Sequence, residues 1–387
     1  MKYGKSLMNM PAKPALNLLF GEKRFFWMIL ISISLVLSTL TSCGSGKDMG
    51  PDLTSIAYEA PVGRIDIGQL AASKQLDGAN DVPSFLAAYN QHLKTFKKPL
   101  YAISGVNMID LTRQRMGVSL LSEGQRDSAI AFKIGTLVSD SAFALLADSV
   151  GLQFPAEYNV RTELEPVAKR YHHYFPDIEV PALYTHVNGY DPSGQSNTID
   201  QFFAGEGYIS IGLHYFMGER FSYYSPNIPQ YIKRRFAPEY LDVMLAHELA
   251  KGTTPPLDPA NQTSLLDAMV QQGIQYYIVE KLVPAAEDSM VMLYSEEEMA
   301  WASQYERSLF KDAALVMFES DMMKKRKYLG ENAFSSMYSD QSAPRIGAFL
   351  GWRIVRSYMK RNSDVSLADL VQSKDFEAIF RASGYKP

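Results

Sequence analysis

A single cysteine, Cys43, occurs among 387 residues, which excludes an intramolecular disulfide. No run of basic residues exceeds four, and acidic residues outnumber basic ones, so the chain lacks the electrostatic footprint of a nucleic-acid binder. There is no internal repeat, no glycine-rich phosphate loop and no setting for a serine or cysteine nucleophile. The oxygen-bearing stretch at 191–200, DPSGQSNTID, lacks the acidic density of a calcium loop and reads as a hairpin-like connection. Disorder is excluded by composition, because 47% of the residues are hydrophobic and 12% aromatic, enough for a sizeable core.

What is present begins with an apolar run. Lys23-Arg24 precede sixteen mostly apolar residues, Phe25 to Leu40, too few for a comfortable membrane span and suited to the core of a signal peptide. The run ends in Leu40-Thr41-Ser42-Cys43, an aliphatic residue and two small ones before a cysteine, which is the pattern of a bacterial lipobox. Small residues would admit the lipoprotein signal peptidase to the bond before Cys43, whose thiol would receive the diacylglycerol. Residues 1–42 are thus expected to be a lipoprotein signal peptide, with Met8 and Met10 as alternative starts. Without them the chain has 33 basic and 41 acidic residues, a net charge of −8, so acyl chains rather than charge would hold it to a membrane.

Residues 43–62 are Gly-rich and polar at their start and read as a flexible tether. Residues 63–387 read as one mainly helical α+β domain with a small β-sheet. Helices are expected over 85–96, through 120–151, from Pro166 to Pro176, and again from Ser295, Pro344 and Ser366. Ser264 with Asp267, Ser295 with Glu298 and Ser366 with Asp369 form capping boxes. Gly347 and Gly351 would let the helix after Pro344 pack closely. The adjacent His172 and His173 point about 100° apart on a helix and so cannot chelate one ion. They read as surface or stacking residues, and His214 as a packed residue in a strand.

The centre of the chain is residues 205–283. Residues 207–216 read as an edge strand paired with 181–189, and the helices from Pro238 to Gly252 and from Ser264 to Pro284 follow. That order is the skeleton of a zinc peptidase, so a degenerate zincin-like core is expected over about 181–283. Zinc would need two imidazoles one helical turn apart, with a glutamate between them. The run is His247-Glu248-Leu249-Ala250-Lys251, an ammonium where the second imidazole belongs. The third ligand's place, before Gly273, is held by the amide of Gln272, a poor zinc ligand. The expectation is a scaffold without metal, cofactor or catalytic residue. Two alternatives stay open: a metallopeptidase using His247 with an unusual ligand set, and a lipoprotein binding peptide or glycan against Tyr215, Phe221, Tyr223, Tyr224, Tyr276 and Tyr277.

From about Pro166 to Pro387 the sequence resembles the gliding motility-associated lipoprotein family GldB of the Bacteroidetes. The resemblance rests on YHHYFPDIEVP, YISIGLHYFMG, PQYIKRRFAPEYL, SLLDAMVQQGIQYY and the EEEMAWASQYE helix. Most specific is SAPRIGAFLGWRIVRSYMKRN followed by SLADLVQSKDFEAIFRASGYKP. It implies a non-enzymatic lipoprotein of the gliding apparatus, a machinery tied to type IX secretion. Its implied partners are the membrane, through lipidated Cys43, and other envelope proteins of that machinery. It transfers no catalytic residue.

Overall fold

The computed structural model describes residues 48–59, 62–65, 99, 103–104, 106–155, 160–188, 201–257 and 263–387. Met49–Pro387 form one compact unit. The signal-peptide expectation, Cys43, the helix at 85–96 and the loop at 191–200 lie outside the described residues.

The sheet has four short strands: β1 (Val62–Ile65), β2 (Ala182–His186), β3 (Phe202–Gly205) and β4 (Tyr208–Gly212), in the order β1-β2-β4-β3. β1 pairs with β2 and β2 with β4 in parallel, whereas β3 returns antiparallel onto β4. All five residues of β4 are buried, as expected of a strand covered on both faces. The expected pairing of 181–189 with the strand near 207–216 is present, but as a parallel pair and not a hairpin. The hairpin is instead the one that β3 makes through Glu206-Gly207, with Gly207 at φ 76° in the turn. β3 takes the edge, so β4 is interior, and the chain leaves it at Gly212 for a 3-10 turn, Leu213–Tyr215, that contains His214.

Before β2 come α1 (Val106–Arg115), α2 (Glu123–Val138), α3 (Ser141–Gln153) and α4 (Val160–Tyr174). The long helical stretch expected through 120–151 breaks at Asp140, whose carboxylate accepts from Ala142 N and caps α3, and the two halves bend by 82°. α4 starts six residues ahead of Pro166 and carries that proline inside it. The lost amide hydrogen bond is tolerated because Leu164, Val167, Ala168 and Tyr171 anchor the helix in the core. Tyr58 stacks on His172 with centroids 4.7 Å apart, while His173 meets Tyr174 edge-on.

The carboxy-terminal half is helical: α5 (Gln230–Lys233), α6 (Leu241–Thr253), α7 (Leu265–Leu282), α8 (Asp288–Met292), α9 (Glu296–Ala314), α10 (Met322–Leu329), α11 (Ile346–Arg361), α12 (Leu367–Gln372) and α13 (Phe376–Ser383). The three expected capping boxes form. Ser264 N donates to Asp267 at 2.7 Å and Asp267 N to Ser264 Oγ at 3.1 Å, with the same exchange at Ser295/Glu298 and Ser366/Asp369.

α7 is buried on nearly every side and crosses α11 at the centre of the core. The crossing is a backbone contact: a Cβ at Gly351 would lie 1.8 Å from the Met269 carbonyl oxygen, and one at Gly273 2.2 Å from the Gly351 carbonyl carbon. Two helices approach this closely only where both lack side chains. Around the crossing, Trp352 Nε1 and Arg356 Nε both donate to Glu280, at 3.0 and 2.7 Å, and Arg356 also forks onto Asp288. The Arg356 guanidinium lies 3.7 Å over the Trp352 ring. On α9, Leu309 is buried, Trp301 and Phe310 are half-buried and Tyr305 is exposed.

Candidate functional site

α6 presents His247 toward the end of α8, not toward a metal. Its Nε2 lies 2.9 Å from the Val291 carbonyl oxygen, and its ring meets Tyr276 of α7 edge-on at 5.3 Å. An imidazole facing a carbonyl donates, so Nε2 carries the proton. Burial pushes the His247 pKa down to about 3, and the charges of Arg345 and Arg235 push the same way against the Val291 bond, so the ring is neutral at pH 7.

The companions of His247 diverge from it. Glu248 turns to Lys251, whose exposed Nζ lies 3.9 Å from the carboxylate. Gln272 is half-buried on α7 one turn before Tyr276, and the neighbouring Gln271 Nε2 donates to Pro255 O at 2.5 Å. Among the described residues no three His, Cys, Asp or Glu side chains converge as metal ligands would. The expected zincin-like core at 181–283 is therefore not supported. The sheet and helices hold the predicted order, but the donor atoms point to separate places.

The aromatic wall proposed for a ligand is also mostly core. Tyr215, Tyr224, Tyr276 and Tyr277 are buried. Tyr224 and Tyr215 pack edge-on against Phe236, and the Tyr224 hydroxyl accepts from Met217 N at 3.0 Å.

What does assemble beside His247 is a charged cluster from three separate segments, held by backbone carbonyls of a fourth. Arg235, in the 3-10 turn before α6, forks onto Glu331 with Nη1–Oε2 at 3.2 Å and Nη2–Oε1 at 2.9 Å. Arg345, the residue before α11, reaches the same carboxylate at 2.6 Å and donates to the carbonyls of Met292 and Leu293 at 2.8 and 3.2 Å. Arg345 also lies 5.5 Å over the buried Tyr294 ring, whose hydroxyl donates to Pro344 O. Both arginines are buried, whereas Glu331, just past α10, has a side chain 42% exposed. Burial alone would raise the Glu331 pKa, but Arg345 and Arg235 outweigh it and hold the group below its ordinary 4.5.

Backbone strain marks the same place. Leu293 (φ 54°, ψ 38°) and Arg345 (φ 46°, ψ 38°) are the non-glycine residues with positive φ among the described residues, and one hydrogen-bonds the other. Each left-handed residue costs roughly 1–3 kcal/mol, and such strain gathers at functional sites. No motif announced this cluster, because its charged residues come from three separate segments. One signal was available: Arg235 and Arg345 each lie within a segment that carries the family resemblance.

Fold and cluster together define a mainly helical α+β protein with a small mixed sheet and a buried charged centre. The family model for gliding motility protein GldB matches residues 51–387, most of the chain, and the protein belongs to that family. The family is one of gliding-motility lipoproteins, so membership implies a membrane-associated protein of the cell envelope. Comparison with curated proteins gave no match, and neither did comparison with solved structures.

Proposed function

We propose that the protein is a lipid-anchored, non-enzymatic component of the envelope machinery for gliding and the secretion associated with it, acting through protein contacts. The observation that carries this reading is the family match over 51–387, beginning eight residues after the lipobox cysteine Cys43. The side chains of the His-Glu pair support it: His247 braces the end of α8 and Glu248 pairs with Lys251, each a structural task. The experiment is complementation of a deletion strain. Loss of gliding or surface export should be restored by the chain carrying His247→Gln with Glu248→Gln, and not by Cys43→Ala, which should also leave the membrane fraction. Failure of the double variant to complement, with normal folding, would overturn the non-enzymatic reading, as would stoichiometric zinc that is lost in His247→Gln.

A second reading, a lipoprotein that captures a polypeptide ligand, is favoured by the Arg235–Glu331–Arg345 cluster. Buried guanidinium forks facing a half-exposed carboxylate are suited to exchanging one carboxylate for another.

A further inference from the structure

We propose that Arg235 and Arg345 form a docking site for a carboxylate of an acidic polypeptide segment, and that Glu331 is the chain's own occupant of that site. The inference rests on the reading that the protein acts through protein contacts, and it names the chemistry of the partner.

The two arginines are fixed. Arg235 is 7% and Arg345 5% exposed, with Tyr231 under the first guanidinium and Tyr294 under the second. Carbonyls of Met292 and Leu293 hold Arg345 from behind, and the strained backbone at Leu293 and Arg345 aims that donor set. The carboxylate between them is not fixed in the same way. Glu331 and the next three residues are exposed and belong to neither helix nor strand, so the side chain can leave without unfolding an element.

Charge points in the same direction. With His247 neutral, two guanidinium groups share the single carboxylate of Glu331, while Arg234 is paired separately with Glu298. Among the described residues, Arg235 Nε and Arg345 Nε are buried with no hydrogen-bond partner. A net positive buried pair with unused donors favours an anion. The planar fork already filled by Glu331 selects a carboxylate. As an intramolecular competitor at high effective concentration, Glu331 keeps affinity for an external carboxylate low until it is displaced.

The test uses the full chain in detergent micelles and a fluorescein-labelled peptide of four glutamates, with a four-glutamine peptide as control. Fluorescence anisotropy should show Glu331→Gln binding the glutamate probe at least about tenfold more tightly than the unaltered chain, and the control no better. Adding Arg235→Lys should abolish the gain, because a point charge cannot replace the fork. Glu331→Asp, which withdraws the charge by one methylene, should move affinity the same way by a smaller factor, and it carries the test if the glutamine variant does not fold. Equal binding by the unaltered and substituted chains, or equal binding of the two peptides, would overturn the docking site while leaving the envelope role intact. Selective binding of the probe, with no motility or export defect on deletion, would instead overturn the envelope role alone.

Discussion

Mild acid should destabilise this protein well before its carboxylates titrate, because three histidines are held neutral inside it. His186, the last residue of β2, and His214, in the turn after β4, are fully buried, with ring centroids 6.2 Å apart, and His186 Nδ1 lies 2.8 Å from Ser210 Oγ. Burial lowers His186 to about 3 and His214 well below its ordinary 6.5, the charge of one ring also disfavouring the other, and His247 falls to about 3. In the unfolded chain all three take protons near 6.5, whereas the folded chain refuses them. The unfolded state therefore binds more protons, and stability is lost as pH falls from 6.5 toward the folded values. At pH 5.5 each histidine costs about 1.4 kcal/mol, and the three together about 4 kcal/mol, a large share of the roughly 5–15 kcal/mol that holds a domain folded. Asp242, raised by burial above its ordinary 3.8, works in the opposite sense and can only trim the total. Urea unfolding at pH 7.5 and 5.5, at constant ionic strength, measures the loss, and His247→Gln should reduce it by about a third. A loss below about 1 kcal/mol, or imidazole NMR signals from these residues that titrate near 6.5, would refute the reasoning.

Gly351→Ala should be among the most damaging single-methyl additions. With the Met269 carbonyl 1.8 Å from the new Cβ, the α7–α11 crossing must open, at a cost of about 3 kcal/mol or more, read as a lower urea midpoint or an insoluble product. Glu280→Ala leaves the fully buried Trp352 indole and the Arg356 guanidinium short of an acceptor, and should cost about 3 kcal/mol by the same assay. Ser264→Ala removes one half of a capping box that starts the central helix, and should cost about 1 kcal/mol in thermal or urea melts, with no change in helix content at 25 °C.

Much of this architecture was legible where the cause is local. Ser264, Ser295 and Ser366 announce their helices because a hydroxyl and an acid three residues on suffice to cap an amino end. Gly351 was legible as a close-packing position, although its partner Met269 was not. Pro166 misled because proline reads as a helix start, and only the packing of α4 shows that the helix begins earlier. The hairpin reading of 181–216 failed because β2 and β4 pair in parallel, a long-range choice that alternation in either strand cannot encode. β3 is four residues long and half-exposed, too short to show a period. The His-Glu run was visible, but neither the diversion of His247 to Val291 nor that of Glu248 to Lys251 follows from spacing. The arginine cluster was hidden for a different reason. Left-handed backbone is normally foreseen from glycine or asparagine, and here leucine and arginine adopt it.

The glycine crossing has a mechanical consequence. Where backbone rests on backbone, neither sliding nor rolling is possible without lifting one rod off the other and exposing the aromatic and aliphatic residues sealed between them. Load applied to this half of the molecule would thus pass through it undeformed, as through a bearing block. Any give must be sought at its margins, in the exposed loop that bears Glu331 or among the amino-terminal helices bent apart at Asp140.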